Sequence, residues 1–267
     1  MNILKTIGSL FWKLLPVILI LFTACSGEPV EKPTLYIIGD STVKNGQGDG
    51  RDGLWGWGNT LPELFDTTRI TIENHAIGGR SSRTFQTEGR WQKILDEITP
   101  GDFVLMQFGH NDGSSLNTGR ARGTLKGTGE ETMEVVMERD SSLEVVHTYG
   151  WYMRKYIKDA KEAGGIPIVL SPVPRNMWDE AGNVLRASGD YGKWASDVAA
   201  EENAYFIDLN GIIAVKYEVL GEEEVTRRYF LTDHTHTNLV GARVNAAAVV
   251  EGLRMIPDCP LNKYLTE

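Results

Sequence analysis

Continuous apolar runs alternate with stripes of helical spacing along most of the chain. Thr34-Leu35-Tyr36-Ile37-Ile38-Gly39 is uniformly apolar and ends in glycine, as a strand buried on both faces does. Ile70-Thr71-Ile72-Glu73-Asn74 is a weaker second run, and Phe103-Val104-Leu105-Met106-Gln107-Phe108 a third that stops before Gly109. Ile166-Pro167-Ile168-Val169-Leu170 and Ala204-Tyr205-Phe206-Ile207 are the fourth and fifth. From Leu143, apolar positions recur at Val146, Tyr149, Met153, Ile157 and Ala160, which predicts a helix over 143–160. Leu239, Ala242, Ala246, Val249 and Leu253 repeat that spacing, with Thr237 or Asn238 in position to cap the helix. Strands alternating with helices imply parallel pairing and right-handed crossovers. The expected fold is α/β, a three-layer α/β/α sandwich around a central parallel sheet of about five strands. Sites in such sheets sit at the carboxyl ends of the strands. The residues just after Ile38, Asn74, Phe108, Leu170 and Ile207 should therefore share one rim. Segment 113–129 carries five glycines, three cations and no acid, and reads as a long irregular loop on that rim.

The first 24 residues break the pattern. Lys5 and Lys13 precede the apolar run Leu14–Phe22. Nine helical residues reach about 14 Å, against roughly 30 Å of bilayer hydrocarbon. The run is too short to span and fits a signal-peptide core. Leu21-Phe22-Thr23-Ala24-Cys25 resembles the lipobox of bacterial lipoproteins. That resemblance implies a lipidated Cys25 as the new N-terminus. The organisation is then a signal peptide at 1–24, the lipidated Cys25 and a tether at 25–33, and one folded domain at 34–267. The expected location is a bacterial cell envelope, membrane-anchored through Cys25, the alternative being plain secretion.

Composition narrows the function classes. Of 267 residues, 41% are hydrophobic and 24% charged, which excludes disorder, collagen and a multi-span membrane protein for the whole chain. The net charge is −9, and loss of residues 1–24, with two lysines and no acid, makes it −11. An acidic balance of that size argues against non-specific nucleic-acid binding, which needs a basic face. Two cysteines cannot build a disulfide framework.

Candidate chemistry gathers at the expected rim. Gly39-Asp40-Ser41-Thr42 follows the first strand, and alone it reads equally as a turn. Asp233-His234-Thr235-His236 lies before the last helix. In Asp-x-x-His the two side chains can meet across one turn, so Asp233 can hold His236 in the tautomer that takes a serine proton. The same residues also read as a polar loop leading into a helix, or as a metal site built on Asp233, His234 and His236. Gly78-Gly79 follows the second strand, where a backbone N–H can approach a substrate closely. Gly109-His110-Asn111-Asp112 follows the third, and Asn111 can offer an amide N–H there.

Ser41, Gly79, Asn111 and His236 fall in the order of the four blocks that name the SGNH (GDSL) hydrolases. Gly-Gly-Arg-Ser-Ser-Arg-Thr-Phe (78–85), Phe-Gly-His-Asn-Asp-Gly (108–113) and Asp-His-Thr-His-Thr (233–237) resemble the rhamnogalacturonan acetylesterase family. The resemblance spans about Leu35 to Leu253 and implies a flavodoxin-like fold. It implies Ser41 as nucleophile, with its own N–H, the Gly79 N–H and the Asn111 amide as oxyanion donors. Gly78 replaces Gly79 if the turn is shifted by one residue. His236 becomes the base, Asp233 its orienting acid, and Asp40 and Asp112 hold turns. No metal or cofactor is implied. The implied reaction removes acetyl groups from a plant cell-wall polysaccharide, rhamnogalacturonan or pectin, through an acyl-enzyme. Alternatives are a xylan acetylesterase, and a lipase or thioesterase using the same residues. A non-enzymatic carbohydrate-binding lipoprotein would have no use for the triad.

Substrate recognition is read from charge and aromatic residues. Arg80, Arg83, Arg90 and Lys93 follow the second strand with Glu88 the only acid among residues 80–93, and Arg120, Arg122 and Lys126 follow the third. Guanidinium groups match carboxylates in a fork, so Arg80, Arg83, Arg120 and Arg122 are expected to meet an anionic polymer. Trp55, Trp57 and Trp178 are candidates for sugar stacking, most of them as packing residues; Trp55 and Trp178 are carried forward. His234 is assigned to the cleft wall, and His147 receives no role.

Overall fold

The computed structural model describes residues 32–187 and 190–267. The expected signal peptide, Cys25 and nearly all of the tether lie outside them. In chain order the elements are β1 (Thr34–Gly39), β2 (Thr71–Asn74), α1 (Ser82–Thr87), α2 (Arg90–Leu95), β3 (Phe103–Gln107), β4 (Thr132–Val136), β5 (Leu143–His147), α3 (Tyr149–Glu162), β6 (Ile166–Leu170), α4 (Tyr191–Glu201), β7 (Tyr205–Ile207), α5 (Leu209–Leu220), α6 (Glu222–Tyr229) and α7 (Leu239–Arg254).

Five strands form one parallel sheet in the order β2-β1-β3-β6-β7. Each corresponds to one of the apolar runs. Alternate side chains explain the three layers. Leu35, Ile37, Leu105, Ile168 and Ile207 face a core shared with α5 and α7. Tyr36, Ile38, Val104, Met106 and Val169 face a second core shared with α1, α2, α3 and α4. A strand apolar on both faces can only be satisfied by a helical layer on each side. α7 starts where expected, with the Asn238 side chain accepting from the Gly241 N–H at 3.0 Å. The chain turns one way from β1 to β2 and the other way to β3, so the switch in strand order lies at β1. There Ile38 pairs with Met106 and Gly39 with Gln107, and the ends of β1 and β3 lie side by side. Crevices at such a switch are the usual ligand sites of open α/β sheets.

One sequence expectation is corrected. Residues 143–147 are not helical but form β5, antiparallel to β4 with Met133 opposite Val146. Leu143 is 64% exposed there. The helix begins only after Thr148, whose hydroxyl accepts the Trp151 N–H at 3.0 Å and caps α3. Leu143 and Val146 matched a helical spacing by coincidence. The β4–β5 hairpin packs Val135, Met137 and Val146 against Ala121, under the irregular segment 113–129.

Candidate active site

Each part of the site hangs from a strand end. After β1 the chain turns sharply, with the Asp40 carbonyl accepting the N–H groups of Val43 and Lys44 at 3.2 and 3.0 Å. Asp40 Oδ1 accepts the Thr42 N–H at 2.9 Å and the Thr42 hydroxyl at 2.7 Å. This locks the turn and leaves Ser41 projecting from the sheet. Beneath it, Gln107 at the end of β3 donates to Thr42 Oγ1 at 2.7 Å and accepts the Trp57 indole N–H at 3.0 Å. That buried chain fixes the turn to the neighbouring strand, and neither Gln107 nor this use of Trp57 was anticipated from the sequence.

The Asp233–His236 turn supplies the facing groups. Asp233 Oδ1 accepts the N–H groups of Thr235 and His236 at 2.6 and 2.8 Å. Its Oδ2 lies 2.8 Å from His236 Nδ1, and His236 Nε2 lies 2.9 Å from Ser41 Oγ. Burial acts to raise the Asp233 carboxyl, but its hydrogen bonds from His236 and Thr235 outweigh this and hold it below its ordinary value. An ionised Asp233 keeps the proton on Nδ1, so Nε2 is the acceptor aimed at the serine hydroxyl. Both ring nitrogens of His236 are thus engaged. His234 is exposed and contributes its carbonyl to the Asn176 N–H at 2.7 Å. A metal site on Asp233, His234 and His236 does not fit this geometry.

The turn after β2 passes directly over Ser41. The His75 and Ile77 N–H groups continue the sheet bonding to the carbonyls of Ile37 and Gly39. A Cβ on Gly78 would sit 3.6 Å from Ser41 Cβ. Gly79 has φ +80, a conformation that side-chain-bearing residues rarely adopt. The N–H groups of Ser41 and Gly79 donate to no backbone or side-chain acceptor among the described residues. Asn111 donates one amide hydrogen to the Arg80 carbonyl at 2.8 Å, and its second amide hydrogen has no protein partner there. The turn carrying Gly78 and Gly79 thus lies against Ser41, and these three N–H donors are left without acceptors among the described residues. Asp112 anchors the Asn111 turn by accepting the Ser82 N–H at 3.1 Å. It is fully buried, and burial pushes its carboxyl up to about 7.

The expected substrate-binding residues divide. Arg83 is 1% exposed and is corrected to a structural role. Its Nε pairs with Glu144 at 2.8 Å, and its Nη1 donates to the carbonyls of Leu116 and Gly123 at 2.9 and 2.8 Å. It stitches α1 to β5 and to the 113–129 loop, and no ligand can reach it. Arg80 pairs with Glu88 at 3.0 Å and donates to the Gly78 carbonyl at 3.1 Å. Arg122 donates to Ser114 Oγ and the Gly79 carbonyl at 3.1 and 3.2 Å. Arg120 and Arg122 both lie against Gly79, within 3.5 Å of where a Cβ would stand, so these two cations do overhang the site. Trp178 is half-buried, packs against the core and donates to Asn176 Oδ1 at 2.7 Å. Trp55 is half-buried with its indole over Gly50. Its backbone bridges to Thr237, N–H to carbonyl at 2.8 Å.

Comparison with known proteins gives the family and the fold. The model of the GDSL-like lipase/acylhydrolase family matches residues 37–244. A rhamnogalacturonan acetylesterase of Emericella nidulans is 33% identical over 233 residues, 87% of this chain and 89% of that protein. The probable rhamnogalacturonan acetylesterase YesY of Bacillus subtilis is 35% identical over 226 residues, 82% of this chain and 92% of that protein. Among solved structures, the YxiM protein of Bacillus subtilis superposes with a TM-score of 0.69 at 26% identity, covering 86% of this chain. This chain spans only 58% of that longer one. The acetylxylan esterase Axe2 of Geobacillus stearothermophilus, at 18% identity and a TM-score of 0.54, shares the fold over 83% of this chain and 94% of its own.

Proposed function

The chain belongs to the GDSL-like lipase/acylhydrolase family and is a carboxylic ester hydrolase, and from that premise we propose that it removes acetyl groups from an acetylated plant cell-wall polysaccharide, rhamnogalacturonan or a related pectin. The observation that carries the reading is the unbroken chain Asp233 Oδ2–His236 Nδ1 and His236 Nε2–Ser41 Oγ at 2.8 and 2.9 Å, beside three unpaired donors. The acetylesterase names of the relatives support the acyl group and the polymer.

Ser41 Oγ attacks the ester carbonyl carbon as His236 Nε2 takes its proton. The tetrahedral oxyanion is met by the Ser41 and Gly79 N–H groups and the free amide hydrogen of Asn111, donors fixed before charge develops. His236 returns the proton to the departing sugar oxygen, leaving acetyl on Ser41. Water then attacks the acetyl carbonyl carbon as it gives a proton to His236. Collapse of this second tetrahedral intermediate breaks the bond to Ser41 Oγ, which takes the proton back from His236 as acetate leaves. Asp233 stays ionised throughout and stabilises the imidazolium that forms twice per turnover. The Cys25 lipobox supports placing this enzyme on a bacterial envelope membrane, where a cell-surface polymer is accessible.

The test is acetate release from acetylated pectins and xylans, comparing wild type with Ser41→Ala. Loss of several orders of magnitude in turnover with the fold intact is expected. Retention of most activity by Ser41→Ala would refute the mechanism, and a preference for xylan would refute the polymer.

A further inference from the structure

Between the loop after β3 and the loop after β6 lies a groove of about 500 Å³ that the Ser41 constellation does not use. The two adjoin. Gly109 and His110, which line the groove, lead directly into Asn111, and Arg175 on the opposite wall donates to the His110 carbonyl at 3.2 Å. The next residue, Asn176, is bonded to the His234 carbonyl two positions before His236.

Three polar atoms in these walls are buried without a partner among the described residues: His110 Nε2, Arg175 Nε and Tyr191 Oη. Native structures rarely leave such groups unmatched. The cations are also unevenly matched. Arg186 pairs with Glu218 at 2.7 Å, while Asp190, also in the wall, accepts the Tyr191 N–H on Oδ1 at 2.6 Å and has no cation partner among the described residues. Arg175 and Arg122, on opposite sides of the groove, have no carboxylate partner among the described residues. In a chain of net charge −9, two guanidiniums without a carboxylate partner line one cavity against the single free carboxylate of Asp190, and the unpartnered Tyr191 hydroxyl lies buried in its wall. Pro172, Val173, Met177 and Leu185 give the remaining wall an apolar character suited to a sugar ring.

We propose that this groove is a subsite for a sugar carboxylate flanking the acetylated residue, with Arg175 determining specificity and Arg122 and Tyr191 completing the donor set. The assignment rests on the reading of Ser41 as nucleophile toward a polysaccharide ester. A planar guanidinium fork matches a carboxylate better than it matches neutral hydroxyls. Arg175, five residues past the end of β6, was not singled out from the sequence.

The probe is unacetylated trigalacturonate, titrated calorimetrically at low salt against its fully methyl-esterified form. Wild type is expected to bind the acid on the order of 10- to 100-fold more tightly than the ester, the range for a charge-assisted hydrogen bond. Arg175→Gln should reduce that ratio to within about twofold, and Arg175→Lys, which keeps charge without the fork, should retain part of it. Tyr191→Phe breaks no side-chain hydrogen bond among the described residues, so it folds even where Arg175 variants do not; it should weaken the acid severalfold. Equal affinity for acid and ester in wild type, or discrimination that survives both Arg175→Gln and Tyr191→Phe, overturns the subsite. Failure of the parent reading looks different. Ser41→Ala would then keep releasing acetate while acid-selective binding through Arg175 persisted.

Discussion

Replacing Arg83 with methionine should unfold this protein more readily without touching its chemistry directly. Methionine fills the space of the apolar stem but makes none of the three polar contacts. The buried carbonyls of Leu116 and Gly123 lose their donor, at roughly 1–3 kcal/mol each. Glu144 loses its 2.8 Å partner but is 22% exposed and keeps Arg139 at 3.9 Å, so its share sits at the low end. The sum is about 3–5 kcal/mol, in the range for breaking a buried pair. For a domain of this size about 1 kcal/mol moves the melting temperature by roughly 2–4 °C, so the midpoint should fall by roughly 10 °C. Thermal and urea unfolding measure this, and Arg83→Lys should fall between wild type and Arg83→Met. If the midpoint stays put while the KM on an acetylated pectin rises, Arg83 contacts substrate and its structural assignment is wrong.

Asn111→Ala should lower kcat by roughly 10²–10³ through loss of one oxyanion donor; a normal kcat with a raised KM would move Asn111 to substrate binding. The folded state raises the Asp112 carboxyl from 3.8 to about 7, so its proton stabilises the fold fully below about pH 4. That contribution is lost as pH climbs through 7, by up to about 4 kcal/mol. Asp112→Asn should remove this slope from denaturation midpoints measured between pH 4 and 8, and an unchanged slope would place the titration elsewhere. Cys25→Ala should abolish lipid attachment, and unmodified Cys25 in the mature wild-type protein by mass spectrometry would favour a plain secreted enzyme.

The central strands β1, β3 and β6 were legible because they are buried on both faces, so their apolar runs are continuous, whereas the edge strands β2 and β7, only partly buried, give shorter or weaker runs. The β4–β5 hairpin was not, because it reverses that condition. Val136, Leu143 and Val145 point outward, and only Val135 and Val146 enter a core. With no clean alternation to read, the spacing of Leu143, Val146 and Tyr149 suggested one helix. The site residues were legible because Ser41, Gly79 and Asn111 each follow a strand within a few positions and His236 precedes a capped helix. Their donors and acceptors are local to those turns. Arg83 was illegible for the opposite reason. Arg80 lies before the α1 cap Ser81 and Arg83 inside the helix, and three positions of chain decide between a surface ion pair and a buried clasp. Arg175 and His110 come from two separate loops and Tyr191 from the start of α4, and only the closed fold brings them to one cavity.

The Gly53-Leu54-Trp55-Gly56-Trp57-Gly58 segment shows how far local reading reaches. Its tryptophans suggested sugar stacking, yet the backbone has the more consequential role. The Trp57 N–H donates to the Thr42 carbonyl at 3.1 Å and the Gly58 N–H to the Val43 carbonyl at 3.0 Å, which ties the segment to the Ser41 turn. Two residues earlier, the Trp55 N–H holds the Thr237 carbonyl at 2.8 Å, and Thr237 Oγ1 returns a bond to the Trp55 carbonyl at 3.1 Å. Thr237 is next to His236. Serine and histidine, 195 positions apart in the chain, are therefore joined by one short strap, beside the anchor that the Asn176 N–H gives the His234 carbonyl. The strap must press against the nucleophile turn, and Gly56 permits it: any Cβ there would fall 2.2 Å from the Val43 carbonyl carbon. The parallel sheet fixes where Ser41 points and the strap helps to set how near His236 stands, so a side chain at position 56 would have to displace the strap or the nucleophile turn, although it would touch neither Ser41 nor His236 directly.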